Sequence, residues 1–162
     1  MSSTLPPAGS WGQGRGKIDS LIEEEKLQKV TASRTHANRL LKQAQNHLAS
    51  SASTAEDDPE GAYALLYTAA RKSLTAVLEV QGLRPTTKGG HVVISDALKA
   101  QIDPPLGRIL VTYNRLRRSR HNSEYPPVSE PELTADNVRQ DLDKAKEIVE
   151  VSEKLMDQLP IY

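Results

Sequence analysis

The chain has 162 residues, enough for one domain with a sizeable core, and its 21 basic and 21 acidic side chains cancel. It has no Cys, no Phe and one Trp. This excludes a disulfide framework, a thiol nucleophile and a Cys-based zinc site, argues against coating nucleic acid by bulk charge, and favours small-residue helical packing over a β-sandwich.

No long apolar run stands at the N-terminus, so neither a signal peptide nor a membrane span is expected, and a cytoplasmic protein is the simplest reading. Residues 1–17 read as a disordered tail, with Pro6, Pro7, Gly9, Gly12, Gly14 and Gly16, and residues 18–162 as a single helical domain. The run from Trp11 to Lys17 is only superficially a phosphate loop, because its glycine spacing is wrong and Ile18 stands where Ser or Thr belongs. Trp11 reads as a loose anchor or a solvated ring.

A first helix is expected from Asp19 or Ser20 to about Ala49. Ser20 and Glu23 suggest a capping box, and Glu23, Glu24 and Glu25 suit the positive end of a helix dipole. Its apolar stripe runs through Leu21, Ile22, Leu27, Val30, Ala37, Leu40, Leu41, Ala44 and Leu48. His36 and His47 lie in it without metal-ligand spacing. Residues 50–59 read as a loop. A second helix starts at Pro59 with Asp58 as N-cap and ends at Gly82. It is the most apolar helix and is placed at the centre of the bundle. Tyr63, Tyr67 and Arg71 recur every fourth residue and read as a surface stripe along it.

Residues 83–90 read as a turn. His91 follows two glycines and opens a short third helix that ends before Pro104; it either faces a cleft or makes a local hydrogen bond. A fourth helix, about Leu106 to Tyr125, turns Leu106, Ile109, Leu110, Tyr113 and Leu116 to the core. After a linker from Pro126 to Pro131, a last helix starts at Thr134, with Asn137 three residues on and Asp136 in the first turn. Its stripe is Leu142, Ala145, Ile148, Val149, Val151, Ser152, Leu155 and Leu159, and Ile161 and Tyr162 are expected to tuck back. No stretch alternates with period two.

Charge is uneven along this order. Five arginines and no acid lie between Arg108 and Arg120, whereas acids outnumber bases after Glu124. The stretch 113–127 gathers Arg115, Arg117, Arg118, Arg120, His121, Asn122 and Tyr125. A local patch of this kind suits docking a phosphate, and chemistry at a phosphodiester needs a base, an acid and cations for the extra charge on phosphorus. Histidine suits either proton role and arginine the third. Arg117 and Arg118 share the face of His121. Arg115 lies about 120° around the helix and would reach the same phosphate only through a bend or from a partner subunit. Alternatively, the arginines pair with the acidic last helix or an acidic partner, and Glu124 neutralises Arg120. Tyr125 is either a phosphate-contacting hydroxyl or a ring sealing the helix end.

Three runs together resemble the HEPN superfamily of small all-α domains, in an actinobacterial-type branch. They are G-A-Y-A-L-L-Y-T-A-A-R-K-S-L, the G-L-R-P turn with G-G-H, and R-L-R-R-S-R-H-N-S-E-Y-P. The family signature, an Arg followed by four to six residues and a His, is matched by Arg115 and His121, and the resemblance spans roughly residues 20–158. It implies an HEPN-type bundle of about five helices, dimerising so that two motifs face one cleft. It also implies a candidate metal-independent endoribonuclease of toxin–antitoxin or defence type, with no cofactor and no metal. Arg115 and His121 would then be catalytic, and Arg117, Arg118, Arg120, Asn122 and Tyr125 would bind nucleic acid. The partners implied are RNA or a nucleotide, a second copy, and a nucleotidyltransferase-type or antitoxin protein. The alternative is a non-catalytic bundle that binds RNA, a nucleotide or a protein.

Overall fold

The computed structural model describes residues 12–129 and 131–162, so Trp11 lies outside the described residues. In chain order the elements are α1 (Arg15–Glu23), β1 (Leu27–Lys29), α2 (Arg34–Thr54), α3 (Pro59–Gln81), β2 (Leu83–Pro85), α4 (Val92–Ile102), α5 (Gly107–Glu124) and α6 (Ala135–Met156). The fold is an all-α bundle with one small antiparallel ladder, in which Leu27 faces Pro85 and Lys29 faces Leu83.

The centre is α3, as its composition predicts. Asp58 caps it by accepting from the Gly61 N–H at 3.0 Å, and Gly82 ends it with φ 78. It packs against α2, α4, α5, α6 and β2. Tyr63 and Tyr67 are each 1 % exposed, so these two members of the expected surface stripe are core residues instead. Only Arg71 of the three remains half-buried. The last helix also starts as expected: Thr134 accepts from the Asn137 N–H, and the Asn137 side chain accepts from the Thr134 N–H.

The N-terminal third departs from the expectation. The first long helix is two helices with a strand between them, which makes six helices among the described residues. α1 begins at Arg15, inside the stretch read as tail, with Gly14 as N-cap. Glu23 is therefore its last residue, and the three glutamates sit at the carbonyl end, where the dipole disfavours them. The chain reverses through Glu25, at φ 61, and runs into β1. Ser33 then caps α2 by accepting from the His36 N–H at 3.1 Å, and α2 extends to Thr54, into the expected loop.

The turn read at 83–90 contains β2 and a loop pinned to β1. The Thr86 N–H donates to the Lys26 carbonyl at 3.1 Å, and its hydroxyl donates to Glu25 O at 2.6 Å. A Cβ on Gly89 would stand 2.2 Å from the Lys26 carbonyl oxygen, so only glycine fits there. At the other end of the chain the Tyr162 N–H donates to Gln81 O at 2.9 Å and its hydroxyl to Asp19, while Ile161 stays exposed. No helix among the described residues is long and apolar enough to cross a membrane.

Candidate nucleic-acid interface

α5 is held by Ile109, Leu110, Tyr113 and Leu116, all buried, which leaves its arginines on the remaining faces. They do not share one environment. Arg115 turns to α6 and grips Asp141 with both terminal nitrogens, Nη2 donating at 2.7 Å and Nη1 at 3.2 Å. Tyr63 donates to the same carboxylate at 2.7 Å from α3. Burial pushes the Tyr63 hydroxyl well up, so it remains a donor. Arg115 thus ties three helices together, on a different face of α5 from His121, as the helical phase requires.

Arg120 turns the other way. It pairs with Glu124 at 2.9 Å, and its guanidinium carbon lies 5.8 Å from the centre of the Tyr67 ring. Glu124 therefore offsets Arg120, one of the two pairings anticipated for it. The other anticipated pairing, with the acidic last helix, is made instead by Arg108 with Glu147 and by Arg115 with Asp141.

Arg117, Arg118, His121 and Asn122 remain, and they line one open recess of about 280 Å³. Among the described residues neither Arg117 nor Arg118 meets a carboxylate. Nε of Arg117 is buried without a hydrogen-bond partner among them. His121 is exposed in the last turn of α5, and its ring centre lies 5.2 Å from that of Tyr125. The Tyr125 N–H closes the helix on the His121 carbonyl at 3.0 Å, so its exposed ring packs beside the imidazole at the helix end. A neighbouring groove of about 300 Å³ shares Asn122 but is lined by Glu60 and Glu132 and by no cation among the described residues, which suits no phosphate.

The recess therefore offers two uncompensated guanidinium groups, one imidazole and one carboxamide. That set can hold a phosphodiester and move one proton. Among the described residues no group of three or more His, Cys, Asp or Glu side chains could hold a metal ion. Of the sequence-predicted residues, the fold brings Arg117, Arg118, His121 and Asn122 together, with Tyr125 alongside, and separates Arg115 and Arg120 into ion pairs.

Sequence reasoning did not single out Asp141, and it read Tyr67 as part of a surface stripe and Tyr113 as a core residue without placing either beside His91. The Tyr67 hydroxyl lies 2.7 Å from His91 Nδ1 and 3.1 Å from the Tyr113 hydroxyl. A four-residue recurrence that ends in arginine and a histidine after two glycines were the available signals. Neither says that α3, α4 and α5 bring them together.

The HEPN domain profile matches residues 37–157, well over half of the chain, and the chain belongs to the HEPN domain family. No curated protein and no solved structure matches it. The match begins inside α2, so α1 and β1 lie outside it.

Proposed function

We propose that this HEPN domain binds RNA through the Arg117, Arg118, His121 and Asn122 recess and cleaves it as a metal-independent endoribonuclease of toxin–antitoxin or defence type. The observation that supports this is the convergence of four side chains suited to phosphate on one recess, with both guanidinium groups free of carboxylates among the described residues. Arg117 and Arg118 hold the phosphate, Asn122 orients it and His121 moves the proton. Arg115 acts as a positioning residue that fixes α5 on α6 through Asp141. The recess holds one imidazole, whereas cleavage calls for a base and an acid. A homodimer that sets two such recesses face to face supplies both.

Binding without turnover is the second reading, favoured by the engagement of the signature arginine, Arg115, with Asp141. In that case the same face docks RNA or an acidic protein, such as an antitoxin or nucleotidyltransferase-type partner. One experiment separates the two. RNA cleavage by the purified chain is followed in EDTA, for wild type, His121→Ala and the double variant Arg117→Ala/Arg118→Ala. Cleavage that survives EDTA and falls at least ~100-fold in both variants supports the nuclease. Retained RNA binding with no cleavage by the folded wild type selects the binding module.

A further inference from the structure

A second charged recess lies outside the residues that the proposed cleavage chemistry uses. Arg71 and His91 line a cleft of about 440 Å³, between α2, α3, β2 and α4, with an apolar wall that includes Leu40, Pro85 and Ile94. Its one carboxylate, Glu79, is taken by Arg84, which donates to it at 2.7 and 3.4 Å. Arg71 has no carboxylate partner among the described residues, so the cleft keeps an uncompensated positive charge.

The polar groups here are preset. The Tyr67 side chain is buried, which pushes its hydroxyl pKa up, and its oxygen lies 2.7 Å from His91 Nδ1. That bond ties Nδ1 to Tyr67 and leaves Nε2 as the ring nitrogen remote from it. The loop before His91 is fixed as well. The Gly89 and Gly90 N–H groups both donate to the Thr86 carbonyl at 3.1 Å, and Thr86 is itself bonded to the β1 side.

We propose that this cleft recognises the terminal phosphomonoester of an RNA strand. Arg71 and the His91 ring hold the phosphate, and the apolar wall takes the last nucleoside. An internal diester carries one negative charge, whereas a terminal monoester carries close to two near neutral pH and draws more strongly on the unpaired Arg71 guanidinium. The cleft's size suits one nucleotide rather than a strand passing through. The proposal rests on the RNA reading for its partner, but on residues that reading does not use.

The test measures fluorescence anisotropy of short RNAs bearing a 5′-phosphate, a 3′-phosphate or hydroxyls at both ends, with AMP as a competing free phosphomonoester. The proteins are the full chain, Arg71→Gln, His91→Gln and Arg118→Ala. At least one end-phosphorylated RNA is expected to bind roughly tenfold tighter than hydroxyl-ended RNA. Arg71→Gln should remove that advantage while leaving hydroxyl-ended binding unchanged, and Arg118→Ala should weaken all three RNAs alike. His91→Gln, which removes the imidazole from the cleft, should reduce the advantage. Equal binding of the three RNAs by wild type, or an advantage that survives Arg71→Gln, overturns the proposal. If no RNA binds but AMP does, and Arg71→Gln abolishes it, the RNA reading fails while the cleft's phosphomonoester chemistry stands. If neither RNA nor AMP binds, both fail.

Discussion

The Asp141 carboxylate accepts from Arg115 and from Tyr63, and this decides what Arg115 can do. Removing it by Asp141→Ala leaves a buried tyrosine hydroxyl without its acceptor. The expected cost is about 1–3 kcal/mol, read from urea denaturation. Arg115→Ala should cost less, because the guanidinium is half exposed and solvent screens the pair. The double variant should be less destabilised than the sum, since both changes remove one interaction. Cleavage separates positioning from contact: a positioning Arg115 makes Arg115→Ala and Asp141→Ala equally impaired, whereas a phosphate-contacting Arg115 makes the arginine variant far worse. Two histidines add a pH dependence. Burial, with Arg71, Arg120 and Arg117, lowers the pKa of His91, and burial, with Lys72 and Arg71, lowers that of His47. For both, the folded pKa lies below that of the unfolded chain, so protons bind the unfolded state first. Their stabilising contribution is complete above about pH 6.5 and is lost as the pH falls through the folded values. The urea midpoint should drop between pH 7.5 and pH 5, and less steeply in His47→Gln and His91→Gln.

At the level of elements, the cleft depends on the β1–β2 ladder and the loop that follows it. Gly89→Ala drives a methyl group against the Lys26 carbonyl at 2.2 Å and Val93 Cγ1 at 2.8 Å. It should destabilise the fold by about 1–3 kcal/mol, as overpacking does, and loosen the loop before His91. Gly90→Ala meets no neighbour but keeps a φ of 60, so its cost should stay near 1 kcal/mol. Thermal unfolding of the pair separates close approach from backbone strain. The same region shows why the sequence was legible only in parts. Asp58, Gly82 and Thr134 act within a few residues of themselves, so their caps can be read locally, and the starts of α3 and α6 and the end of α3 follow. The break after Glu23 cannot be read that way. Leu27 continues the helical stripe of Leu21 and Ile22 while being buried as a strand residue. Its partner Pro85 lies far along the chain, and three-residue strands are too short to display a period of two. The candidate site divides likewise. Arg117, Arg118 and His121 are neighbours by helical spacing, whereas the capture of Arg115 by Asp141 and the Tyr67–His91 bond arise from packing between helices.

Across the whole molecule, zero net charge conceals a division that governs how it could meet RNA. Ion pairs absorb Arg34, Arg84, Arg108, Arg115, Arg120 and Arg139, several of them across helices, and leave Arg15, Arg39, Arg71, Arg117 and Arg118 without a carboxylate ion pair among the described residues. Attraction to a polyanion therefore comes from a few local cations rather than from the overall field. Each phosphate of a single strand that they neutralise contributes about −0.7 to the slope of log affinity against log salt. Two or three contacts then weaken RNA binding roughly tenfold between 50 and 200 mM salt, a shallow dependence compared with a strongly basic protein. Arg117→Ala/Arg118→Ala should reduce the slope by about 1.4, whereas Arg108→Ala, which removes only a cation already paired with Glu147, should leave it unchanged. Titrations at four salt concentrations measure both slopes. An equal change in the two variants would mean that RNA samples the whole arginine-rich helix. A change confined to the first places the phosphates on the face that carries Arg117, Arg118 and His121.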